Sequence, residues 1–225
     1  MDVQTLTVST LQGQETPAEA RVLLAGVSWQ TFKALLADIG DNRACRFAYD
    51  QGLLEIMAPY QEHEAPKIMI GCFVEVIADE LNIEIMQLLG SLLLEREDLR
   101  SAVEPDTCFY IQNESLVRGK KIDLANDPPP DLVVEIDYTS RSLNKFEIYS
   151  SLGVPEFWRY ENQQLYVYQL TDKKYNLCDQ SLAFPFLPIA DIPSLIEQSK
   201  IIGQRATVRL FRTLIREILQ ASDLK

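Results

Sequence analysis

The sequence predicts an α/β (α+β) domain, a mixed β-sheet core flanked by helices. Three observations predict it. The stretch PPPDLVVEIDYTSRSLNKFEIYSSLGVPEFW, Pro128 to Trp158, reads as strand, turn, helix, strand. Short apolar β-runs recur on either side of it, at 45–49, 53–57, 105–111 and 165–170. Other segments, at 29–39, from Pro66 onward and at 203–221, carry apolar residues at helical spacing instead. With 225 residues and 47% hydrophobic content, the chain suits one domain, or one with an appendage, and can bury a sizeable core.

Residues 1–20 are polar, dominated by Thr, Gln and Glu, and read as an N-terminal extension. The domain proper is expected over 21–172 and a helical appendage over 173–225. Arg21 to Gly26 holds a short apolar run. Ser28 then caps a helix to about Ile39, with Trp29, Phe32, Leu35 and Leu36 on its inner face. Two strands, 45–49 and 53–57, meet at Asp50-Gln51-Gly52, a turn with glycine last. Pro66 suits the first turn of a long helix whose Met69, Cys72, Phe73, Val76 and Ile77 face the core, while Glu75 faces water. Glu62, His63 and Glu64 stand at that helix's positive end, a structural role as natural for them as a catalytic one. Residues 83–95 read as one strand leading into 105–111. The polar segment 114–127 carries Arg118, Lys120 and Lys121, which serve either as a solvated loop or as a strip for a nucleic-acid backbone. A hairpin joins Phe157-Trp158 to Leu165–Leu170, and its tyrosines 160, 166 and 168 pack across strands or stack on bases. A short helix near Ile192–Ile196 precedes a final one, about 203–221. The stripe of that last helix, Phe211, Leu214, Ile215, Ile218 and Leu219, either packs on the domain or pairs with a second copy.

The chemistry gathers in the central stretch. Pro128 to Pro130 hold the entry extended. Leu132 to Ile136 is the apolar, β-branched run of a strand buried on both faces, yet Asp131, Glu135 and Asp137 interrupt it and share one face by the period of two. Burying a charge is costly without a partner, so a cation is expected against that face. Lys145 lies in the first turn of the following helix, closed by Gly153, with Tyr149 one turn later on the same side. The dipole gives a lysine no benefit there, so a role facing the carboxylates fits, and a solvated surface lysine fits the spacing equally. Asp106 enters the 105–111 run, and strand pairing would bring it alongside Glu135. Two carboxylates in one pocket repel unless a cation neutralises them, and Mg²⁺ is the usual one. With a lysine to orient water, this is the composition of a metal-assisted phosphodiester hydrolysis site.

Composition narrows the field. A formal net charge of −12 and a pI near 4.6 leave little sequence-wide affinity for nucleic acid, so DNA contact is expected through a local basic strip and bound metal. Membrane-surface binding is not expected, no apolar run approaches the ~18–20 residues of a membrane span, and the N-terminus has no signal-peptide pattern. Cys45, Cys72, Cys108 and Cys178 form no C-x-x-C pair and read as buried thiols of a cytoplasmic protein. With one histidine, a structural zinc site is not expected.

The ordered set Pro105-Asp106, PDLVVEI at 130–136, Lys145 with Tyr149, and GVPEFW at 153–158 resembles the PD-(D/E)XK nuclease superfamily. More narrowly it resembles restriction endonucleases of the Uma-two type, as does GLLEIMAP at 52–59 followed by Glu62-His63. The likeness spans roughly 27–170. It implies a restriction-endonuclease-like fold and a DNA endonuclease using Mg²⁺ (or Mn²⁺). Asp106 and Glu135 would ligate the metal, helped by the carbonyl of Ile136, and Lys145 would be the active-site lysine. Glu62 and His63 would lie near the pocket, and Asp131 and Asp137 would tune it or hold a second ion. Such nucleases often act as dimers, so a homodimer is expected. Two positions depart from the pattern. Asp137 stands where the superfamily's basic pattern has its lysine, and Ala48 stands where this family often carries a glutamate. Both departures suit the alternative, a nuclease-fold interaction protein without turnover.

Overall fold

Two sheets pack around one short helix. The computed structural model describes residues 20–40, 45–58, 64–89, 92–137 and 143–223. The first sheet is antiparallel, in the order β1 (Ala20–Ala25), β3 (Leu53–Ala58), β2 (Arg46–Asp50), β6 (Ser101–Val103), β5 (Leu94–Arg96). The second runs β11 (Lys174–Cys178), β10 (Gln164–Thr171), β9 (Glu156–Glu161), β8 (Leu132–Asp137), β7 (Thr107–Tyr110), β4 (Met86–Leu89). After the one-turn α3 (Glu114–Val117) that follows β7, only β8 and β9 pair in parallel, because α4 (Lys145–Leu152) carries the chain back between them. The expected mixed sheet flanked by helices is present.

Each layer follows from local sequence. Ser28 caps α1 (Trp29–Ile39), its hydroxyl accepting the Thr31 N–H at 3.1 Å, and Trp29 and Phe32 pack on Phe47, Tyr49 and Leu54 of the first sheet. α2 (Glu64–Leu81) buries Met69, Phe73, Val76 and Ile77 against Leu132, Val134 and Ile136 of β8. Glu75 faces water as expected. On the other face of the second sheet, Val133 and Phe157 meet Ile148, Tyr149 and Leu152 of α4, together with Ala48 and Val103 from the first sheet. β8 is thus buried on both faces.

Residues 83–95 are not one strand. β4 belongs to the second sheet and β5 to the first, so a chain changing sheets cannot keep a single alternation. Nor did the sequence announce β6, too short to show a period, or β11, a largely exposed edge. The C-terminal segment forms α5 (Ile192–Ile202) and α6 (Gln204–Asp223). Its Phe184, Ile196, Phe211 and Ile215 enter the same apolar cluster as α2 and β8. Of the two uses open to the α6 stripe, packing on the domain is the one seen within the chain.

Candidate active site

The site lies where the two sheets and α4 converge. Between β6 and β7 the chain crosses from one sheet to the other, and Glu104, Pro105 and Asp106 are all buried at that crossing. The Glu104 carboxylate holds the crossing to β2 by accepting the Phe47 N–H at 2.8 Å. Thr107 faces Val134 in the antiparallel pair, so Asp106, one step earlier, stands beside Glu135. Oδ2 of Asp106 accepts the Ile136 N–H at 2.7 Å, and Oδ1 meets the guanidinium of Arg46 from β2. Both acids are 4% exposed.

Glu135 is held from α4. Its Oε2 accepts from Lys145 Nζ at 2.6 Å, and its Oε1 accepts from the Tyr149 hydroxyl. The two donors lie one helical turn apart, and Gly153, left-handed at φ 78°, ends the helix so that β9 can begin. Between the two options open to Lys145, the structure has it on the carboxylate rather than in water. Burial first, and then the charge of Glu135, raise the Tyr149 hydroxyl well above its ordinary pKa, so it remains a donor. Burial, with a smaller contribution from Glu135, pushes the Cys108 thiol up to about 12, so it stays protonated beneath the site.

More charge lines the same gap. Arg21 of β1 reaches Glu55 of β3 at 3.6 Å. Arg159 of β9, the register partner of Glu135, donates to Glu161 at 2.8 Å. Arg21, Glu135, Lys145, Phe157 and Arg159 border a cavity of about 30 Å³. Among the described residues, no group of three or more His, Cys, Asp and Glu side chains is arranged to hold a metal ion. The donor set is instead two neighbouring carboxylates, which suits Mg²⁺, an ion that takes one or two carboxylates and keeps water and phosphate for the rest.

The remaining expected residues are placed differently. Asp131 is committed to the fold, accepting N–H groups from Ile111 at 2.7 Å and Asn113 at 3.0 Å, and the Asn113 side chain at 2.7 Å. Asp137 ends β8, with its side chain outside the described residues, as are Glu62 and His63 altogether. In the basic segment, Arg118 is taken by Glu114 at 2.6 Å, and Lys120 lies 3.8 Å from Asp127. Sequence reasoning passed over Arg46, Glu55 and Arg159. Each is a buried charge in a β-strand, and a charge within a β-run is the signal that singled out Glu135.

A family described as "Uma2: Putative restriction endonuclease" matches residues 29–196. The chain belongs to the Uma2 family. No curated protein matches it. Among solved structures, "a putative nuclease belonging to DUF820" from Anabaena variabilis is similar over 76% of this chain and 99% of that one, at 16% identity and a TM-score of 0.49. In this Uma2 chain Ala48 faces the buried Glu55 across the β2–β3 pair. Among the described residues, no helix of the Uma2 chain is long and apolar enough to cross a membrane.

Proposed function

We propose that this chain is a metal-dependent endonuclease that hydrolyses DNA phosphodiester bonds. Membership of the Uma2 family supports a nuclease, and one observation carries the rest: Asp106 and Glu135 lie side by side with Lys145 on the second acid. In this reading Asp106 and Glu135 hold Mg²⁺ or Mn²⁺, with the carbonyl of Ile136 as a further oxygen. When bound, the ion polarises a phosphoryl oxygen and lowers the pKa of a water. Tyr149 keeps the Glu135 carboxylate in one orientation. Lys145 positions the attacking water by hydrogen bonding and offsets charge that builds on the phosphate. Arg46, paired with Asp106 here, would have to release that carboxylate for it to serve as a ligand. Two copies acting as a homodimer would cut both strands, and sedimentation at increasing concentration tests that part.

The second reading, an interaction protein without turnover, draws on a different observation. Arg46 and Lys145 already neutralise both acids, and Asp137 occupies the usual lysine position. Supercoiled plasmid separates the two. The nuclease reading expects nicking that needs Mg²⁺ or Mn²⁺ and disappears in Asp106→Ala and Lys145→Ala. Intact plasmid with wild type at millimolar metal favours the interaction protein.

A further inference from the structure

We propose that the cavity between the sheets is a phosphate-binding subsite, in which Arg21 and Arg159 grip a backbone phosphate beside the one being cut; this rests on the nuclease reading. The two guanidinium groups come from opposite walls, Arg21 from the edge of the first sheet and Arg159 from the interior of the second. Their side chains are only 15% and 3% exposed. Glu55 and Glu161, neither of them on the lining, pair with these arginines at 3.6 Å and 2.8 Å. A guanidinium presents its donors in a planar fork that matches a phosphate edge, and Lys145 adds a third cation on the same lining. The ligand is therefore an oxyanion.

Size identifies which oxyanion. A volume of about 30 Å³ admits roughly one or two oxygen-sized atoms and no sugar or base. What enters is the edge of a phosphate on an extended strand, and such a contact carries no sequence information. Any sequence preference of this protein then arises outside the cavity. Glu135 also lines the cavity, so an anion there meets a carboxylate unless that charge is neutralised. Phosphate and divalent metal should thus bind cooperatively, each raising the other's affinity by the same factor.

Calorimetric titration of inorganic phosphate into the full chain, with and without Mg²⁺, tests this without reading turnover. The expected result is saturable binding that tightens when Mg²⁺ is present. Arg21→Gln should weaken it by about tenfold or more, while Lys200→Gln, exposed on α5 away from the cavity, leaves it unchanged. Arg21 sits on an edge strand, which favours a folded variant; should its melting curve show otherwise, Arg21→Lys keeps the charge and loses only the fork. Absence of saturable binding with Mg²⁺, or equal affinity in wild type and both Arg21 variants, overturns the subsite. Plasmid nicking by wild type alongside that result would leave the nuclease reading standing, and phosphate binding without nicking would do the reverse.

Discussion

Two sets of ion pairs join distant parts of this molecule, and their surroundings differ. On the surface, α6 is tied to α2: Arg212 donates to Glu80 at 2.6 Å and to Asp79 at 2.7 Å, and Arg216 donates to Glu80 at 2.8 Å. Arg216 and Asp79 are well exposed, at 59% and 63%. In the interior, Arg46 meets Asp106 and Lys145 meets Glu135, with every side chain under 20% exposed. Exposed pairs contribute roughly 0–1 kcal/mol and work as light fasteners. Buried pairs cost about as much in desolvation as they return, and apolar residues of the same volume would often be as stable. A fold gains little from charges at the second location. Chemistry is the better reason for their presence.

The sharpest way to break this contrast is to remove interior charges and read activity. Asp106→Ala or Lys145→Ala should lower metal-dependent nicking by about 10²–10³-fold or more, whereas Arg216→Ala should leave it within a factor of two or so. The next effect is on stability. Arg46→Met leaves Asp106 buried without its partner and should cost about 3–5 kcal/mol in urea denaturation. The double variant Arg46→Met with Asp106→Leu should recover most of that loss, which a stabilising role for the pair would not allow. Tyr149→Phe removes one donor from a buried carboxylate and should cost about 1–3 kcal/mol, read from the same transition.

The smallest effect belongs to the surface. Hydrogen bonds from Arg216 and then Arg212 hold the Glu80 carboxyl below its ordinary value of 4.5. A carboxyl with a depressed folded pKa stabilises above its unfolded pKa and loses that contribution as pH falls through the folded one. Glu80→Gln should therefore change stability by at most about 1 kcal/mol near neutrality and flatten its decline as pH falls below 4.5.

Much of the fold was legible because single residues carried it. Ser28 started α1, Gly153 ended α4, and the paired apolar faces of β8 announced a strand buried on both sides. The meeting of Asp106 and Glu135 with basic partners was legible because a charge in an apolar run needs a partner, and each acid lies beside a base here. The same rule also marks Glu156, which is fully buried and accepts the Trp158 indole N–H at 2.7 Å and the Ala183 N–H at 2.8 Å. That acid fastens β9 to the C-terminal segment and touches nothing reactive. A buried charge therefore signals a requirement for partners, and the topology decides whether the result is a clamp or a site. Asp131 shows this from the other side, since it shares the strand's acidic pattern yet is spent on the backbone of 111–113. The meeting of Arg21 with Arg159 was not legible, because it depends on two sheets facing each other and no local spacing encodes that.

A crystal of the wild-type chain soaked in Mn²⁺, with anomalous scattering recorded at the manganese edge, shows whether the paired acids hold an ion. Asp106 and Glu135 should coordinate a peak, with Arg46 withdrawn from the first acid and Lys145 on the rim. A map with no peak there at millimolar Mn²⁺, and both bases still seated on their carboxylates, would contradict it.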